Sequence, residues 1–210
     1  MPGQVSSAPS PRIERKRDKR VQEIVRTAAD LFAERGYDAV SLDDVAERLD
    51  VTKGSLYYYF AGKDELCTAA LETLGNGWME RLEELSAAYD GSDVGRLRAL
   101  LHEHIMIAVR DYPAALRLFL VPREWPASQA RSIKAMRTRH DAIFRDVIDS
   151  GVRAGEFDAI STDVTLQCMH AAMTQAPTWC GRLTGRARTR AIDELTDTLM
   201  LLVGCSRADD

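Results

Sequence analysis

Lys53, Ser55, Tyr57, Tyr58 and Tyr59 crowd a cation, a hydroxyl and three phenols into a few consecutive positions. Such groups donate to phosphate oxygens and base edges and lay apolar ring surface on thymine methyls, so the chemistry they suit is recognition of duplex DNA. Leu56 and Phe60, four apart, anchor the same short helix inward and leave the polar set on its N-terminal and outer surface. Ahead of it, Ser41 opens another helix, with Asp43 and Asp44 in the first turn and Leu42, Val45, Ala46 and Leu49 on one face. Between the two, Asp50 is one of the few non-glycine residue types that tolerate the left-handed backbone of a sharp turn, and Thr52 is placed to cap the second helix. Two short helices joined this way make a helix-turn-helix, whose second helix enters the major groove. Taken alone, the run of tyrosines reads equally as a solvated amphipathic face.

The whole string from Ser41 to Lys63, with LFAERG upstream at 31–36, resembles the TetR family of transcription regulators over about the first third of the chain. Asp50 departs from the pattern, standing where the family usually has glycine. The resemblance implies that Lys53, Ser55 and Tyr58 face base edges and that Thr52, Tyr57, Tyr59 and Lys63 contact phosphates. It assigns a further contact to Ser41 and places Arg17 and Arg20 on an arm that reaches the DNA. It also implies a homodimer on a palindromic operator and a second domain that binds a small inducer.

These groups need a scaffold. Val21, Ile24, Val25, Ala28, Ala29 and Phe32 recur at helical spacing from about Arg15 to Arg35, and Gly36 ends the pattern. Leu66, Ala70, Trp78, Leu82 and Leu85 predict a fourth helix joining the head to the rest, so a signal to the DNA has to travel through it. Val94, Leu97, Leu101 and Ile105 give a fifth, and Pro113 opens a sixth around Leu116, Phe119 and Leu120. Ile133, Met136, His140, Phe144 and Val147 define a long seventh that stops near Gly151 or Gly155. Ser161 caps an eighth, which Pro177 should bend or end, and Ile192, Leu195 and Leu199 mark a ninth. No stretch alternates at period two. The expected fold is therefore all-α, about nine helices: a disordered arm over 1–11, a helix-turn-helix domain over 12–63, and a helical ligand-binding and dimerisation domain over 64–210.

The net charge is −4, but it is unevenly spread. Residues 1–63 hold 11 Lys and Arg against 10 Asp and Glu, leaving 17 against 22 for the remainder. Arg12, Arg15, Lys16, Arg17, Lys19 and Arg20 form a basic cluster expected to precede the first helix and to reach phosphates or the minor groove. No apolar run is long enough for a membrane span and the N-terminus lacks the apolar core of a signal peptide, which places the chain in the cytoplasm.

In the second domain, Met106, Phe119, Trp125, Met136, Phe144, Met173 and Trp179 are bulky, soft or aromatic, as in pockets for a largely apolar molecule. Each alone also reads as ordinary core. Arg110, His140 and His170 suit an anionic head group, and the C-terminal half is reminiscent of family members that respond to acyl-CoA or steroid-derived thioesters. The last two helices are too apolar to be covered easily by one thin bundle. Val164, Cys168, Ala172, Ile192, Leu195, Leu199 and Leu202 are therefore expected at a two-fold interface.

The four cysteines stand apart and read as small buried hydrophobes; His102 and His104, two apart, point in different directions. No metal or other cofactor is assigned. An enzyme finds no support in nucleophile-elbow, phosphate-loop or zinc-protease motifs. Besides a repressor, the residues are compatible with an activator and with a dimeric ligand-binding protein that does not read sequence.

Overall fold

The computed structural model describes residues 11–111 and 127–204. These form eight α-helices and no strand: α1 (Pro11–Arg35), α2 (Leu42–Arg48), α3 (Lys53–Tyr57), α4 (Lys63–Ala88), α5 (Asp93–Met106), α6 (Ala127–Ala154), α7 (Thr162–Trp179) and α8 (Gly185–Met200). The helix expected after Pro113, with Phe119 and Trp125, lies outside the described residues.

Helix α1 begins earlier than its apolar periodicity suggested. Pro11 occupies the first turn, where its missing N–H costs nothing, and the Arg, Lys and Glu residues that follow are good helix formers. The basic cluster from Arg12 to Arg20 is thus the exposed start of α1 and not a separate arm before it. Its inner face, Ile24, Val25, Ala28, Leu31 and Phe32, packs with Val45, Leu56 and Phe60 into the core of a three-helix head.

Helix α2 starts at a complete capping box: Asp44 N–H donates to Ser41 Oγ at 3.2 Å, and Ser41 N–H donates to Asp44 Oδ2 at 2.8 Å. A cap of this kind stabilises by about 1 kcal/mol. The turn to α3 depends on Asp50, which adopts φ 51° as its residue type allowed.

Helix α4 packs on α1 at its beginning and on α5 and α6 further along, so it spans both parts of the molecule. It is fastened to α6 by polar contacts. Arg139 clamps Glu83 through Nε at 2.7 Å and Nη2 at 2.6 Å and also donates to Asn76 Oδ1 at 3.1 Å, while Ser132 bonds Glu72. Between α6 and α7, Gly151 lies under the ring of Phe157 where a side chain would clash, and Gly155 terminates α6 with φ 75°. Helix α7 starts at the Ser161 cap and carries Pro177 near its end; a short 3-10 turn then leads toward α8.

Candidate nucleic-acid interface and ligand site

On the head, Lys53, Ser55, Tyr57 and Tyr58 stand exposed on α3 and its cap, and Tyr58 is 75% exposed. Tyr59 differs from expectation. It is half-buried against the core, with its ring edge-on to Tyr58 at 5.0 Å between centroids, because the chain leaving α3 turns inward toward Phe60. Thr52 sits at the N-cap, but its hydroxyl pairs with Ser55 Oγ at 2.9 Å and caps no backbone N–H. The Ser41 hydroxyl belongs to the α2 capping box.

Several cations of the head are already engaged within the protein. Lys53 Nζ donates to Asp43 Oδ2 at 2.6 Å, which raises the lysine pKa. Arg48 pairs with Glu34 at 2.9 Å, Arg35 with Asp44 at 3.1 Å, and Arg20 with Glu23. Lys63 Nζ donates to the carbonyl oxygens of Tyr37 at 3.0 Å and Asp38 at 3.3 Å and lies 4.3 Å from the Tyr37 ring centre. A notch of about 340 Å³ opens beside it, lined among others by Ser41, Tyr57, Gly62 and Lys63. Three of the residues expected to touch phosphate thus border one depression. Arg17 is exposed some turns away on α1.

In the second domain the sequence-derived pocket residues separate. Met136, His140, Phe144 and Met173 are buried, His170 is partly buried and Met106 is half-buried. Arg110, in the π-helical turn that extends α5 (Ile107–Asp111), is exposed, and Trp179 is 44% exposed. Of the candidate interface residues, Val164 is 62% exposed on α7, where Cys168 also faces outward, contrary to the expectation of a buried thiol. Trp179 shares that face by helical spacing. Leu202 is exposed, Ala172 and Leu195 are half-buried, and Ile192 and Leu199 sit in the protomer's own core.

Three of the four histidines converge on one cluster; His140 and His170 are ligand candidates from the sequence, whereas His104 is not. His140 on α6 stacks on His104 of α5 at 4.9 Å and on His170 of α7 at 4.7 Å between ring centres. Trp78 of α4 meets His140 at 5.2 Å and His104 at 5.9 Å, and Phe144 closes the far side. Burial drives the His104 pKa down to about 3 and that of His140 well below its ordinary value; it also lowers that of His170, against the opposing pull of Asp141. All three rings are neutral near pH 7. Only the helical register could have placed His104, Trp78 and His140 together, and that register is invisible until α4, α5 and α6 are docked. Among the described residues no group of His, Cys, Asp and Glu has metal-binding geometry.

Set beside known proteins, residues 24–70 match the family described as bacterial regulatory proteins, tetR family, and residues 90–202 match the tetracyclin repressor-like C-terminal domain. The chain belongs to the TetR family of transcriptional regulators, which are DNA-binding transcription factors and not enzymes. It is 28% identical over 162 residues to the HTH-type transcriptional repressor Rv3405c of Mycobacterium tuberculosis, covering 77% of this chain and 79% of that one. The likeness to IcaR, a negative regulator of a biofilm operon in Staphylococcus epidermidis, is 36% over 59 residues, 28% of this chain, and spans 32% of that protein's length. In fold the chain is similar to FadR of Bacillus subtilis, solved in complex with stearoyl-CoA, with a TM-score of 0.69 at 19% identity over 87% of this chain and 97% of that one. Among the described residues no helix is long and apolar enough to cross a membrane.

Proposed function

We propose that the protein is a homodimeric repressor that binds a palindromic operator and leaves it when a small, largely apolar ligand enters the second domain. The observation that carries this reading is the exposed face of Lys53, Ser55 and Tyr58 on α3, mounted on a head whose fourth helix runs on to Trp78 and the histidine cluster. Lys53, Ser55 and Tyr58 serve base edges. Tyr57, Lys63 and Ser41 serve phosphates around the notch, Thr52 and Tyr59 serve others, and Arg17 and Arg20 add contacts from the start of α1. The outward apolar stripe of Val164, Cys168 and Trp179 supports a two-fold contact through α7, and Leu202 is exposed as well. The repressor named among the relatives supports repression, and the likeness to FadR, solved with stearoyl-CoA, makes long-chain acyl-CoAs the first ligands to test. A ligand achieves release only by binding better to the form in which the heads no longer match half-sites about 34–36 Å apart.

Selection from random duplex DNA at a fixed salt concentration tests the core of the proposal. Enrichment of a palindrome with half-sites about one helical turn apart is the expected result. Retention of unselected, salt-sensitive DNA overturns sequence reading by the free protein.

A further inference from the structure

Buried polar groups in folded proteins are nearly always hydrogen-bonded, and one left without a partner disfavours the fold. The cluster on α4, α5, α6 and α7 breaks this rule three times. His104 Nδ1, His140 Nε2 and His170 Nε2 are each buried with no hydrogen-bond partner among the described residues. His104 and His140 are 4% and 8% exposed. Leucine or phenylalanine would fill the same space without orphaned nitrogens, so a purely structural core gains nothing from three imidazoles.

We propose that these three histidines hold the polar end of the effector: a ring-bodied molecule carrying a phenolic hydroxyl. The proposal rests on the second domain being the ligand-binding one. A neutral imidazole has one N–H and one bare nitrogen, so the trio can both accept from such a hydroxyl and donate to its oxygen. A plain acyl chain offers these nitrogens nothing. A doubly charged phosphate would need a permanent cation that the cluster does not contain. The edge-on rings of Trp78 and Phe144 favour a flat apolar body.

The rings lie in mutual contact, so a hydroxyl reaches the orphaned nitrogens by parting them. Trp78 leans on both His104 and His140, and parting them displaces α4, the helix that carries the head. Ligand entry and movement of the DNA-binding unit are in this way the same event.

The test is thermal unfolding of the full chain, wild type beside His140→Phe and His104→Leu, each alone and with 2-naphthol, 2-methoxynaphthalene or stearoyl-CoA. Removing an orphaned nitrogen should raise the melting temperature of the unliganded protein by roughly 2–4 °C. 2-Naphthol should stabilise the wild type more than its methyl ether does, and this preference should vanish in both variants. The proposal is overturned if both variants melt below the wild type, if 2-naphthol at millimolar concentration stabilises nothing, or if stearoyl-CoA stabilises all three proteins alike. Operator binding measured in parallel separates the two readings. A protein that prefers 2-naphthol but selects no DNA sequence refutes the regulator proposal and leaves the cluster's role standing.

Discussion

Lys53 and Asp43 are ten residues apart on different helices, yet Nζ and Oδ2 meet at 2.6 Å across the helix-turn-helix. Lys53, which we propose reads a base, is therefore held by a carboxylate of the same unit. In the proposed complex, binding DNA exchanges this contact for one to the duplex. An exposed pair of this kind is weak, so the exchange is easy, but a non-specific phosphate must also compete for it.

Asp43→Asn should raise affinity for unrelated duplex DNA several-fold and steepen the salt dependence by up to about one unit, while operator affinity changes less. Titrating operator and scrambled duplexes at several salt concentrations measures this. A fall in both affinities would show that Asp43 positions Lys53 and does not restrain it.

Lys53→Ala and Lys63→Ala should fail differently. The first should relax base preference at one position of each half-site and leave thermal stability unchanged. The second should weaken all sequences alike and cost about 1 kcal/mol of stability, because Lys63 also holds the carbonyls of Tyr37 and Asp38. Base-substituted operators and melting curves on each variant decide between them.

Stability should depend on pH through the histidine cluster. A histidine whose folded pKa lies below its unfolded value contributes stability that is complete above the unfolded pKa, near 6.5, and is lost as pH falls toward the folded one. For His104 that window runs from about 6.5 down to about 3. Unfolding free energies from urea titrations between pH 7.5 and 5 should fall by up to roughly 1.4 kcal/mol per pH unit per histidine, and His140→Phe should have the shallower slope. A flat profile would contradict neutral burial.

Val164→Asp should yield a folded monomer that no longer selects palindromes, whereas Ile192→Asp should abolish folding, since Ile192 is buried within one protomer. Sedimentation at micromolar concentration and far-ultraviolet circular dichroism distinguish the two. A dimeric Val164→Asp protein would move the interface elsewhere.

Asp50→Val should cost about 1–2 kcal/mol in urea denaturation, because a β-branched side chain resists φ 51°, while Asp50→Gly should fall within about 0.5 kcal/mol of the wild type. Equal stability of the Val and Gly proteins would mean that the turn places no strain on the residue at this position.

What the sequence disclosed followed from local rules. The Ser41 cap, the left-handed Asp50 and the inward pair Leu56 and Phe60 are each determined by neighbours a few positions away, and all three lie where local rules put them. Helix α1 started earlier than its apolar stripe because charged helix formers extend a helix without leaving a periodic mark. Apolar character alone could not say whether Ile192 or Val164 faces a neighbouring helix or the outside. His104 carried no local signal at all, since its partners lie on other helices.

The attachment of α4 to α6 through Glu72, Asn76 and Glu83 also sets a mechanical ratio. Trp78 stands 15 residues beyond Lys63, a lever arm of about 22 Å at 1.5 Å per residue. Each degree of tilt about that point therefore swings the start of α4 by roughly 0.4 Å, and in the proposed dimer two such arms working in opposition double the change. In the proposed mechanism, a tilt of a few degrees set at the histidine cluster becomes a shift of ångströms at the head, which must match DNA of fixed pitch.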